Sequence, residues 1–185
     1  MRKVFIDCGA NKGFAIDGFR DLYDDGHEIF AFECLPECID HLKNKFGDSI
    51  TVIEKAVYTE EGKLCFNTGT TTRSGTIRDD KRTYMTGDSI EVDSIDLSAW
   101  ILENFSADDH ITICMDIEGA EYAIIPKLIS SGAIDFIDKM YVEWHSGKLN
   151  DMDALTDVKL ENQLHDRLGK NLVAKISHDW DISHS

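Results

Sequence analysis

Strand, helix, strand, helix, strand follow one another within the first 57 residues, and this alternation constrains the fold more than any other feature of the chain. Residues 3–7 form a short apolar run that ends in a glycine-punctuated turn, Cys8-Gly9-Ala10-Asn11-Lys12-Gly13. Phe14, Ile16, Phe19, Leu22 and Tyr23 then recur at roughly helical spacing, up to the stop Asp24-Asp25-Gly26. Residues 28–33 (EIFAFE) read as a second strand. Pro36 suits a first helical turn, residues 38–46 continue that helix, and residues 50–57 (ITVIEKAV) read as a third strand. Such a run builds a parallel sheet from right-handed βαβ units.

The same rhythm returns later. Residues 111–117 (ITICMDI) predict a strongly buried strand, residues 122–131 a helix, and residues 138–144 the next strand. A helix over residues 155–168 and a strand over residues 172–177 follow. The middle is less regular: short strands at 63–67 and 89–92, and a helix from Asp96 to about Phe105. Residues 68–87 are rich in Thr, Ser, Gly and charge and read as a long loop on the substrate side. No repeat and no linker divides the chain. The expectation is one α/β domain over residues 1–185, a Rossmann-like sandwich. Its central sheet has about seven mostly parallel strands, with helices on both faces.

Acids outnumber bases 35 to 19, for a net charge of −16. A surface of that sign excludes sequence-independent nucleic-acid binding and docking on an anionic membrane. No apolar run reaches the roughly 18 residues of a membrane span, and the N-terminal run is too short for a signal peptide. The expected location is cytoplasmic. Five cysteines without a CxxC pair argue for reduced thiols, against both zinc and a disulfide framework.

Open α/β sheets bind ligands at the carboxyl ends of their strands. Asp7, Gly9, Asn11 and Gly13 lie at the end of the first strand, and Glu33 ends the second, twenty residues after Gly13. The glycines admit close approach of backbone to ligand, and an acid at that distance suits a ribose diol. Together they indicate an adenosine-type nucleotide. A pyrophosphate prefers GxGxxG, whereas this turn is GxNxG preceded by an acid. That acid suits the cationic S-adenosylmethionine (SAM) better than a dinucleotide, which stays open together with a plain glycine turn.

The segments around these residues resemble the FkbM-type SAM-dependent methyltransferases. Val4-Phe5-Ile6-Asp7-Cys8-Gly9-Ala10-Asn11-Lys12-Gly13 is similar to the family's first motif. Ala31-Phe32-Glu33-Cys34-Leu35-Pro36-Glu37 is similar to its second-strand segment, and Lys55-Ala56-Val57 with Glu61-Gly62-Lys63-Leu64 to its third. Met115-Asp116-Ile117-Glu118-Gly119-Ala120-Glu121 resembles its most distinctive motif, with Val142-Glu143-Trp144-His145 after it. The match runs from about residue 3 to 146. It implies a class I methyltransferase fold, SAM as donor, S-adenosylhomocysteine (SAH) as product and usually a hydroxyl acceptor. One departure is Cys114, where family members usually carry Lys.

On this reading Asp7, Gly9, Asn11, Gly13, Glu33, Ala56 and Asp116 bind the cofactor. Asp116, Glu118 and His145 are the catalytic candidates, since the fourth and fifth strands open onto the ligand there. A hydroxyl proton needs a base, and a histidine of neutral pKa suits one near pH 7. Glu121 sits at a helix start, which favours acids by itself. Mg²⁺ at Asp116, Glu118, Glu143 and His145 stays open but is not favoured, because no ligand spacing demands a metal. Arg73, Ser74 and Arg78, in a basic stretch of an acidic chain, predict a lid recruiting an anionic acceptor, with Glu143 facing the same molecule. The acceptor expected is a small hydroxylated molecule, a saccharide favoured. The alternatives are an NAD(P)-dependent oxidoreductase and a SAM-binding protein without catalysis.

Overall fold

The computed structural model describes residues 1–23 and 26–175. Its centre is a six-stranded sheet of β1 (Lys3–Cys8), β2 (Glu28–Phe32), β3 (Thr51–Ile53), β7 (His110–Met115), β8 (Ile137–Glu143) and β9 (Leu172–Lys175). The spatial order is β3-β2-β1-β7-β8-β9 and every neighbouring pair is parallel. The described strands in this sheet number six, in keeping with the expected Rossmann-like sandwich of mostly parallel strands. The expected last strand ran to residue 177, and its final two residues lie outside the described ones.

Helices cover both faces. α1 (Phe14–Leu22) and α2 (Pro36–Phe46) pack on one side, where Ile16, Phe19, Leu42 and Phe46 meet Phe5, Ala31 and Tyr141. α3 (Leu97–Asn104), α4 (Glu121–Ser131) and α5 (Ala154–Leu168) pack on the other, where Leu97, Ile101, Ile125, Leu128 and Leu164 meet Val4, Ile6, Ile113 and Val142. Alternate residues of each strand feed the two cores, so the strands read as continuous apolar runs.

Residues 50–57 are not one strand. β3 ends at Ile53, and the chain bends at Glu54-Lys55, where the Lys55 amide donates back to the Ile53 carbonyl at 2.8 Å. β4 (Ala56–Tyr58) then joins a second sheet with β5 (Gly62–Gly69) and β6 (Met85–Asp96), in the order β4-β6-β5. β6 is twelve residues long, parallel to β4 and antiparallel to β5. Only its last few residues pack inward; the polar first half is held by pairing with β5, so it carries no apolar alternation to announce a strand. The expected loop at 68–87 shortens to residues 70–84. It is pinned rather than free: Asn67 and Thr76 form an antiparallel bridge, and so do Lys81 and Leu149.

Strand succession reverses between β1 and β7. The chain winds outward through β2 and β3 on one side, and through β8 and β9 on the other. A crevice opens at such a switch point, above the carboxyl ends of the two central strands. Gly9, at φ +87°, lies in it, and a β-carbon there would stand 2.4 Å from the Asp116 carbonyl oxygen. No larger residue fits between the two chain turns.

Candidate active site

The crevice leads into a cavity at the carboxyl edge of the sheet. Gly9, Asn11, Glu33, Ala56, Asp116 and Glu118 line it, with Phe32, Ile77 and Ile117 as apolar wall. Of the seven residues expected at the cofactor, five are on this wall. The other two are behind it. Gly13 caps α1 at φ +78°, where the Phe46 ring leaves no room for a β-carbon. Asp7 is 2% exposed, below the crevice floor.

Glu33 does structural work as well as facing the cavity. Its Oε1 accepts from the Cys34 amide at 2.7 Å and the Leu35 amide at 2.9 Å, and its Oε2 from the Asn11 amide at 2.7 Å. A carboxylate offers about four lone-pair positions, so one remains, on Oε2. Burial pushes the Glu33 carboxyl up, and the three amides pull it back.

A second cavity adjoins the first. Arg73, Ser74, Tyr84, Glu143 and Lys148 line it, and it shares Arg73, Asp116 and Glu118 with the first. Asp116 thus stands on the boundary between the two.

The turn after β7 sets the acids. Glu118 takes a left-handed backbone, φ +53°, unusual for a non-glycine residue, and Gly119 follows at +116°. This aims the Glu118 carboxylate at two lysines: Lys81 Nζ at 2.6 Å, and Lys148 Nζ at 2.9 and 3.1 Å. Lys81 is fully buried and also donates to the Ser74 carbonyl at 2.5 Å. Thr76 Oγ1 donates to the Glu118 carbonyl at 2.7 Å. The loop over residues 70–84 is therefore stitched to the Asp116–Glu121 turn.

His145, 1% exposed, sits beneath the acids at the end of β8. Its Nδ1 lies 2.9 Å from Glu121 Oε1, and its backbone amide donates to the Tyr122 hydroxyl at 2.9 Å. Nε2 lies 3.4 Å from both Asp116 Oδ1 and Glu143 Oε1, and 3.7 Å from Glu118 Oε1. Burial opposes charge on the ring, but Glu121, Glu143 and Glu118 outweigh it and push its pKa up to about 10. The ring is thus a held imidazolium when the acids stand alone. That differs from the expected base of neutral pKa, and the reason is the ring of carboxylates, which no local sequence pattern shows. Burial and then Glu143 push the Asp116 carboxyl up to about 7, against the pull of His145.

On the acceptor side, Arg78 is not at either cavity wall. It is tied to Asp80 at 2.8 Å and Asp151 at 2.6 Å, and it anchors the loop. Ser74 lines the second cavity, but its hydroxyl bonds within the loop, to the Thr71 carbonyl at 3.1 Å. Arg73 faces both cavities and makes no ion pair among the described residues; its guanidinium lies 5.7 Å from the Phe14 ring centroid. Lys81 and Lys148 escaped sequence reasoning. Lys81 lies in Asp79-Asp80-Lys81-Arg82, which reads as a solvated charge run, and nothing in that run distinguishes a buried lysine.

The family model described as the methyltransferase FkbM domain matches residues 7–168. The chain belongs to this family. The match takes in the end of β1, all of β7, both cavities and α5, further than the expected limit near residue 146. No curated protein matches the chain. Membership makes this domain a methyltransferase, acting with a methyl donor, and sets the oxidoreductase alternative aside. Among the described residues no helix is long and apolar enough to cross a membrane.

Proposed function

We propose that the domain transfers a methyl group from SAM to a hydroxyl of a small molecule, with a saccharide the favoured class. The observation that carries this reading is the pair of adjoining cavities that share Asp116. The first suits the donor. Phe32, Ala56, Ile77 and Ile117 form an apolar wall for an adenine. The Oε2 lone pair left on Glu33 can accept from a ribose hydroxyl, and bare Gly9 lets the ligand lie against the backbone. SAM would supply a methyl already activated by its sulfonium.

The protein then supplies alignment and a destination for the proton. Alignment alone is worth several kcal/mol. Asp116, Glu118 and Glu143 present carboxylate oxygens on the second cavity, and these accept hydrogen bonds from sugar-like hydroxyls. The acceptor proton passes into this carboxylate cluster. His145 and Glu121 hold the cluster in place, and Lys81 and Lys148 fix Glu118. Arg73 stands at the mouth as the cation for an anionic group on the acceptor, a part that Arg78 cannot take while bound to two acids.

Calorimetric titration of SAM, SAH and NAD⁺ tests the donor. Glu33→Ala is a poor probe, because it also strips three amides of their acceptor. Ala56→Trp fills the cavity without touching those bonds. Micromolar SAM or SAH binding, weakened at least about tenfold in Ala56→Trp, supports the reading; no SAM or SAH binding by folded protein refutes it. Tight SAM binding with no turnover on any hydroxylated acceptor would favour a SAM-binding protein without catalysis.

A further inference from the structure

Sequence spacing demanded no metal, yet the fold gathers one kind of donor set at a single point. Asp116 and Glu118 leave the end of β7, and His145 leaves the end of the adjacent β8. One ligand atom from each lies within 4.8 Å of the others. Acids alone would say little. The second observation is His145 itself: buried, with its Nε2 lacking a hydrogen-bond partner among the described residues, and aimed into the acids. Its other nitrogen is fixed by Glu121 at 2.9 Å. A carboxylate that orients an imidazole from behind and leaves the opposite nitrogen for a cation is the usual support of a metal-ligating histidine. Glu118 Oε1 receives one bond, from Lys148, and so keeps a lone pair for a cation.

We infer that Asp116 Oδ1, Glu118 Oε1 and His145 Nε2 bind a divalent cation. Two of the three donors are carboxylates, which suit an ion such as Mn²⁺. The cation takes the place of the Nε2 proton and balances the surplus of carboxylates around the ring. Glu143 Oε1, 3.4 Å from the same nitrogen, stands beside the site. Asp116, Glu118 and Glu143 all line the second cavity, so the open coordination positions face the acceptor. A hydroxyl docked there would be polarised by the cation and give up its proton more readily to the neighbouring Glu143 carboxylate. That role rests on the methyl-transfer reading above; the cation site does not.

The test is Mn²⁺ titrated into the full chain after chelation, followed by electron paramagnetic resonance. The expected result is one bound Mn²⁺ per chain, with a pulsed-resonance ¹⁴N coupling from an imidazole. Asp116→Asn, a partly exposed and isosteric change, should weaken binding at least about tenfold, and Glu121→Gln about 10- to 100-fold. His145→Gln should abolish the nitrogen coupling. Because that variant disturbs a buried network, the coupling in the unmutated chain carries the test by itself. Mn²⁺ binding no tighter than in Asp116→Asn, or bound Mn²⁺ without nitrogen coupling, overturns the inference. SAM affinity measured on the same sample separates the two readings. Mn²⁺ bound without SAM binding supports the site and overturns the donor reading; SAM binding without Mn²⁺ does the reverse.

Discussion

Asp7→Asn should make the protein more stable above neutral pH, and the gain should vanish on acidification. Asp7 stands in the middle of the sheet, opposite Ala31 on β2 and Cys114 on β7. It is buried, and its Oδ2 finds no hydrogen-bond partner among the described residues. Burial, then Asp116, then Glu33, push its pKa from 3.8 up to about 8. Between those two values the folded protein holds a proton that the unfolded chain has released. Stability therefore falls as pH rises from about 4 towards 8, by at most about 1.4 kcal/mol per pH unit. At pH 7 the accumulated penalty reaches about 4 kcal/mol as an upper bound. An asparagine has the same shape and no proton to lose. Its amide hydrogens lack acceptors, which costs about 1–3 kcal/mol at every pH. The difference between variant and parent should be near zero at pH 5 and favour the variant by about 2 kcal/mol at pH 8. Urea unfolding of both proteins at pH 5, 6, 7 and 8 measures it. A stability difference that does not change with pH, or that turns against asparagine as pH rises, refutes the reasoning. Because Asp7 lies behind the cavity wall, SAM affinity should change by less than about tenfold, or 1.4 kcal/mol.

Lys81→Met removes a fully buried cation from Glu118 and leaves Lys148 as its one lysine partner; urea unfolding should show a loss of about 3 kcal/mol, and limited proteolysis should become faster within residues 70–84. Gly9→Ala places a β-carbon 2.4 Å from the Asp116 carbonyl at a φ of +87°, so a loss of about 3 kcal/mol or more in unfolding free energy should accompany loss of donor binding. Arg73→Glu should raise KM for an anionic acceptor by a larger factor than it changes SAM affinity by calorimetry. Arg78→Glu, facing Asp80 and Asp151, should instead lower stability by about 1 kcal/mol in urea unfolding; equal effects of both reversals on acceptor KM would refute the division of labour between the two arginines.

Local sequence was enough wherever one element's own pattern carried the information. The βαβ rhythm, the glycine turn at Gly9 and Gly13, the acid at Glu33 and the DIEGAE turn at Asp116–Glu121 are each written within a dozen residues. They sufficed to expect a parallel sheet, a ligand at its carboxyl edge and the family to which the chain belongs. The bend at Glu54-Lys55 was not legible, because no glycine or proline marks it and both halves are strand-like. The long β6 was not legible either, because its first half is held by backbone pairing rather than by burial.

What each functional side chain does was decided by tertiary structure. His145 looks like an ordinary titrating histidine until β7 and β8 set it among Asp116, Glu118, Glu121 and Glu143. Their summed field overturns the desolvation that would otherwise keep the ring neutral, and that field depends on distances between strand ends rather than on spacing along the chain. Arg73 and Arg78 are indistinguishable in sequence, yet Asp151, 73 residues beyond Arg78, pairs with one of them and leaves the other at the cavity mouth. Lys81 is a surface charge by its neighbours and a buried clamp by its contacts. The chain's own alphabet therefore determined the scaffold and where the candidate site is expected, because periodicity and turn chemistry act over a few residues. The assignment of charge and proton within the site was left to the fold, because electrostatic interaction depends on separation in space and on exclusion of water.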